Sequence, residues 1–347
     1  MPVLFPTAED LRDIIFGSQL CHIATGGEHL VYISERIPGV VVKISSNTLR
    51  FVLRCGEPID KPSDETLQAI EQEELLQRGE RMTRICSYFG SKHTLEERRY
   101  LLPVPLSSSL LAAALGGRPS YSQELSTLQR HLSDGAAATA WAVVTVQPYL
   151  AAGNALSLVG GYSDDGAKAD TLDAMIYSQV THALVFSGRP IEFFDRQQFL
   201  RVQTRRELGV LLETLDHDAA LRAAVRSLLR NIYDYVRDTG EILDTAGPGN
   251  ILLILDGTTW NYLLVDALSI HNEPVLHLAR IAVTKLLSGS EITGRERLFL
   301  MKALNFLRTV NGIGACVDLN SDIILSDQTL SFGSIDCLRE TRQLVAK

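Results

Sequence analysis

The chain has 347 residues, 46% of them apolar and 21% charged, with a net charge of −8. That length buries a sizeable core and leaves room for two lobes or domains, and the composition is that of a folded protein. The negative balance argues against nucleic-acid binding as the main function, although Arg201, Arg205 and Arg206 could form a local basic patch.

In chain order, residues 7–18 read as a short amphipathic helix with Glu9 and Asp10 at its start, where the helix dipole favours acids. Residues 21–25 and 30–33 read as strands flanking Gly26-Gly27. A third strand, 40–44, follows the turn Pro38-Gly39. Residues 64–86 then carry Leu67, Ile70, Leu75, Met82 and Ile85 near helical spacing. Residues 99–105 and 142–148 are strand-like, and Val143-Val144-Thr145-Val146 is strongly β-prone. Between these strands lies a Ser/Ala/Gly-rich insertion, 107–139, of partial helical character.

Residues 160–167 form a polar stretch that leads into a mostly helical second half, with candidate helices at 173–186, 195–215 and 219–239. The last is the clearest: Leu221, Val225, Leu228, Leu229, Ile232 and Val236 share one face, and Gly240 ends it. Two short strands, 251–255 and 262–265, follow around Asp256-Gly257, and then helices near 274–287 and 295–310. This order predicts an α+β architecture in two parts, a β-rich lobe over 1–150 and a mainly helical lobe over 151–347.

Cys21, Cys55, Cys86, Cys316 and Cys337 are scattered and odd in number, with no CxxC pair, so neither a disulfide framework nor a zinc site is expected. The first residues lack a signal peptide's basic start and long apolar stretch, and no run approaches the ~18 apolar residues of a membrane span. A cytoplasmic location is the expectation, and export without a cleaved signal stays compatible with it. The histidines show no ligand spacing, and no GxSxG elbow supports a hydrolase triad.

Two segments far apart in the chain carry chemistry. In the first, Gly26-Gly27 can fold closely over phosphate oxygens because glycine has no Cβ. Lys43 interrupts the apolar strand Val40-Val41-Val42-Lys43-Ile44, where a lysine must find an anion or bear the cost of burial. A helix carboxylate is the expected neighbour: Glu74, with Glu71 the alternative. In the second segment, Asp244-Thr245-Ala246-Gly247-Pro248-Gly249-Asn250 precedes an apolar hairpin that ends at Asp266. Asn250 and Asp266 place two oxygen ligands at neighbouring strand ends, a donor set suited to Mg²⁺ alongside phosphates.

With these parts in this order, residues 20–310 resemble the protein-kinase-like superfamily. GGEHLVY resembles its glycine loop, VVVK its lysine strand, DTAGPGN-IL its catalytic loop and LLVDA its metal-aspartate segment; VTVQPY falls at its adenine hinge. The resemblance implies a two-lobed fold that binds ATP and Mg²⁺. Gly26, Gly27, Lys43, Glu74 and Gln147 would hold the nucleotide, Asn250 and Asp266 the metal, and Lys43 and Asp244 would be catalytic. Five residues separate Asp244 from Asn250 where the family has four, so alignment back from Asn250 places Thr245 at the base position. The glycines are adjacent instead of spaced, Ala267 stands where protein kinases have phenylalanine, and no APE-like segment follows. Ala267 and the missing APE-like segment favour an atypical or small-molecule branch, whereas the Asp244 spacing supports a pseudokinase.

The expected function is an ATP-dependent phosphotransferase acting on a hydroxyl of a protein or small molecule. The alternative is a pseudokinase, a nucleotide-binding or scaffolding module without transfer. An aminoglycoside-like acceptor would call for acidic residues such as Asp164-Asp165, Asp216 or Asp218.

Overall fold

The computed structural model describes residues 5–25, 29–106, 139–150, 155–158, 211, 214–245, 249–266, 268, 275–287 and 290–319. The chain is α+β and divides into two compact units, one of residues Met1–Thr83 and Leu95–Ala152, the other of Arg84–Thr94 and Gly153–Lys347. The candidate helices at 173–186 and 195–215 lie outside the described residues, apart from 211, 214 and 215, as do the polar stretch 160–167 and insertion residues 107–138.

The first unit is built on a five-stranded antiparallel sheet. Its strands are β1 (Cys21–Thr25), β2 (His29–Ile33), β3 (Val40–Ser45), β4 (Arg98–Pro105) and β5 (Thr139–Pro148), in spatial order β1-β2-β3-β5-β4. Helix α1 (Ala8–Phe16) opens with a reciprocal capping box between Thr7 and Asp10. Its Leu11 and Ile15 join one buried face of the sheet, formed by Leu30, Val40, Val42, Ile44, Val104, Val144 and Val146. These strand residues alternate along the chain as the pleat requires.

The opposite face packs on helix α2 (Ser46–Arg54) and on α3 (Asp64–Ile70), through Leu49, Val52, Leu53, Ile59, Ile70 and Val143. Helix α2 was not expected from the sequence. It starts directly at the end of β3, with the Ser45 hydroxyl accepting the Asn47 amide. Strand β5 runs on past the end of β3, and α2 together with the segment that follows it supplies what the ladder lacks there. The Thr48 hydroxyl accepts the Val143 amide at 3.2 Å, and Ile59 O accepts the Trp141 amide at 3.2 Å.

The helix expected over 64–86 is interrupted. Helix α3 passes into a π-helical turn, Glu71–Gln77, and then into α4 (Arg78–Phe89). Ser63 caps the start, and Glu57 fixes that cap by accepting the Ser63 amide (2.7 Å), the Ser63 hydroxyl (2.8 Å) and the Thr66 hydroxyl (2.9 Å). Those bonds, the Ser63 amide first, hold the Glu57 carboxyl below its usual range.

The second unit holds a three-stranded antiparallel sheet of β6 (Ala155–Ser157), β7 (Ile251–Asp256) and β8 (Thr259–Leu264). Helix α5 (Ala219–Thr239) buries Leu221, Val225, Leu228, Leu229, Ile232 and Val236, the stripe read from the sequence, together with Tyr233 and Tyr235. It stops at Gly240, whose φ of 68° is left-handed backbone that glycine adopts without a Cβ penalty. Helices α6 (Val275–Leu287) and α7 (Gly294–Cys316) complete the unit, and α7 starts with a capping box between Thr293 and Glu296. Among the described residues, no helix is long and apolar enough to cross a membrane.

Candidate functional site

Each unit carries one group of the residues singled out in the sequence. In the first, Gly26 and Gly27 lie outside the described residues, between β1 and β2. Lys43 sits on β3 with only 9% of its surface exposed. Pairing fixes what shares its face. Lys43 lies opposite Val31 on β2 and opposite Thr145 on β5, and Thr145 lies opposite Arg99 on β4. Directly opposed residues point to the same side of a sheet, so Val31, Lys43, Thr145 and Arg99 form one cross-strand row. Two strand spacings separate the backbones of Lys43 and Arg99, about 10 Å. Gln147 pairs with Val41 and is therefore a diagonal neighbour of Lys43 on that same face, buried at 3% exposure.

Glu74 lies in the π-helical turn and is half-buried, whereas Glu71 is exposed. Arg99 reaches the turn at Glu74. Its Nη1 donates to Glu74 O at 3.1 Å, its Nε donates to Glu97 Oε1 at 2.9 Å, and its Nη2 lies 2.5 Å from that same oxygen. Burial and the nearby Arg78 guanidinium push Arg99 down, while Glu97 and Glu74 act the other way. Next along the turn, burial and then the Glu74 charge raise the Glu73 carboxyl, opposed by Arg54.

In the second unit, Asp244, Asn250 and Asp266 are drawn together by short polar links. Asn250 Nδ2 donates to Asp244 O at 3.2 Å. Asn250 O accepts the amides of Val265 (2.8 Å) and Asp266 (3.2 Å), just beyond the register Ile251↔Leu264 that starts the β7–β8 ladder. With its amide nitrogen donating to Asp244, Asn250 keeps Oδ1 as the side-chain atom able to hold a cation. Gly249, at φ 84°, turns the chain into Asn250 through a conformation that side chains resist. Asp244, Asn250 and Asp266 are half-buried, whereas Thr245 is buried at 7% exposure. Ala246, Gly247, Pro248 and Ala267 lie outside the described residues.

The segment leading to Asp244 is anchored from behind. Glu241, 6% exposed, accepts from Arg84 Nη1 at 2.6 Å and from the Tyr235 hydroxyl. An antiparallel bridge pairs Leu243 with Leu268. Close by on the hairpin, His93 stacks on Tyr262 with centroids 3.9 Å apart, and its Nδ1 lies 2.8 Å from Tyr262 O.

Among the described residues no group of three or more His, Cys, Asp or Glu gathers as a metal site. Asn250 and Asp266 instead offer one amide oxygen and one carboxylate. That set fits Mg²⁺, which is held through one or two carboxylates and completes its octahedron with phosphate oxygens and water. Of the acidic candidates for an acceptor site, Asp164 and Asp165 lie outside the described residues. Asp218 serves the fold: it caps α5 through Leu221 N (2.9 Å) and accepts from Trp260 Nε1 (2.6 Å).

Sequence reading missed Arg99, Thr145, Arg84 and Glu241. The Arg99 row depends on strand pairing between residues distant in the chain, and the one local hint was a charged residue opening the apolar strand 99–105. For Arg84 and Glu241, separated by 157 positions, no local signal exists. No protein-family model, curated protein or solved structure matches the chain.

Proposed function

We propose that this protein is an ATP- and Mg²⁺-dependent phosphotransferase of the two-lobed, protein-kinase-like type, in an atypical or small-molecule branch. The acceptor is a hydroxyl of a protein or small molecule. The observation that carries the reading is the convergence of Asp244, Asn250 and Asp266 through the Asn250 amide and carbonyl. Lys43, on the third strand from the N-terminus and one strand beyond the Gly26-Gly27 connection, is the expected place for a phosphate-binding lysine.

In this reading the Lys43 ammonium meets the nucleotide phosphates, with the Gly26-Gly27 backbone as the phosphate-covering loop and Gln147 on the Lys43 face. Bound Mg²⁺ neutralises charge on the phosphates, and the oxygens of Asn250 and Asp266 hold it. Asp244 orients the acceptor hydroxyl and takes up its proton. Thr245 is buried and Asp244 half-exposed, which supports Asp244 for that role despite the loop's extra residue. Catalysis would rest on positioning and charge neutralisation.

A thermal-shift titration with Mg-ATP on the wild type and on Asp266→Ala tests this, because a ligand that binds the native state raises its stability. A shift in the wild type that is lost in the variant is expected; no shift in the wild type overturns the reading. The longer spacing from Asp244 to Asn250 favours one second reading, a nucleotide-binding scaffold without transfer. Equal phosphate release by wild type and Asp244→Ala would select it.

A further inference from the structure

The Arg99 guanidinium connects three things. It stands in the same cross-strand row as Lys43, it is gripped by Glu97 on the lead-in to its own strand, and it reaches the main chain of the π-helical turn at Glu74. Arg99 and Glu97 are largely shielded from water, their side chains 9% and 15% exposed, so these bonds compete weakly with solvent. A planar guanidinium can satisfy a carboxylate with one edge and a carbonyl with another; a lysine ammonium has no such fork. A π-helical turn departs from the regular α ladder, and such turns within α-helices occur frequently at functional sites. Arg99, on strand β4, makes a contact with the turn's main chain, its Nη1 donating to Glu74 O at 3.1 Å.

We propose that Arg99 is a positioning residue for nucleotide binding, holding the Glu74 turn against the sheet face that carries Lys43. This rests on the Mg-ATP reading above. Arg99 touches no nucleotide; it places the Glu74 carboxylate, and through it orders the face on which Lys43 meets the phosphates. Loss of Arg99 therefore weakens binding only as far as Glu74 contributes to it.

A double-mutant cycle tests this, with the dissociation constant of Mg-ATP measured by calorimetry on the full chain for wild type, Glu74→Gln, Arg99→Met and the double variant, all under conditions where each is folded. Each single variant is expected to bind about tenfold more weakly, the scale of one hydrogen bond to a charged group. The double variant is expected to bind no more weakly than the poorer single. Unchanged affinity in either single variant, or two losses that multiply in the double, overturns the proposal, because Arg99 would then act on the fold alone or elsewhere. A wild type that binds no Mg-ATP overturns the proposed function and takes this inference with it, so the two failures are distinct. Should Arg99→Met not fold, Arg99→Lys carries the same cycle, since it keeps the charge and loses the fork.

Discussion

The main-chain carbonyl of Asn250 accepts the amide of Asp266 at 3.2 Å, so the backbone ties together the two residues read as metal ligands. Their side-chain oxygens are not spent on holding one another through that link. Asp266→Ala should remove a ligand while the main-chain bond from the residue 266 amide to Asn250 O stays. The Mg²⁺ needed for ATP binding should rise at least tenfold, and urea unfolding without nucleotide gives the stability cost of the substitution, to be set beside that of Asn250→Ala. Asn250→Ala differs in losing the bond to Asp244 O as well, and should cost about 1 kcal/mol more in the same measurement.

Thr48, 1% exposed, gives its hydroxyl oxygen to the Val143 amide. Thr48→Val keeps the shape and leaves that amide without its acceptor, which should destabilise the protein by about 1–3 kcal/mol in urea unfolding. Thr48→Ser, which keeps the oxygen, should lose less.

Arg84→Met leaves the buried carboxylate of Glu241 without its guanidinium. A loss of about 1–3 kcal/mol is expected, less than for a fully buried pair because Arg84 is 42% exposed. Since Glu241 lies three residues before Asp244, phosphate release should fall more than Mg-ATP affinity. Adding Glu241→Gln should restore part of the stability, because a charge no longer has to be held at a buried position.

Asp218 caps α5, and its carboxyl is held below its ordinary 3.8, first by the Leu221 amide and then by the Trp260 indole. A lowered folded-state value means that the ionised cap contributes fully above pH 3.8 and that its contribution fades as the pH drops through the lowered value. Asp218→Asn retains an acceptor and loses the charge. Thermal midpoints should show the variant below the wild type at neutral pH, with the two converging in acid.

Much of the fold was legible because its signals are local. The stripe on α5 and its closing Gly240 gave that helix its bounds, and the alternation Val40-Val42-Ile44 placed β3 against a core. Helix α2 escaped because Ser46, Asn47 and Thr48 are poor helix formers. It is held by tertiary contacts, the Leu49 and Val52 packing and the Thr48 bond to β5, which propensity does not register. The turn carrying Glu74 looked like uninterrupted helix, since apolar spacing over a few residues does not separate α from π winding. Of the candidate residues in the two units, Lys43, Asn250 and Asp266 announced themselves by polarity in apolar surroundings. Arg99 and Glu241 did not, because the turn at Glu74 that Arg99 meets and the Arg84 that Glu241 meets lie far from them in the chain, and only folding brings them together.

The ladder between β4 and β5 begins at Pro105, paired with Thr139. Both ends of the Ser/Ala/Gly-rich connection are thus fastened side by side, one strand spacing apart, in the same sheet. The pairs that follow, down to Arg98 with Val146, hold β4 against the strand that carries Gln147 and lies beside Lys43, so the aim of both side chains is set by the pairing of the strands themselves.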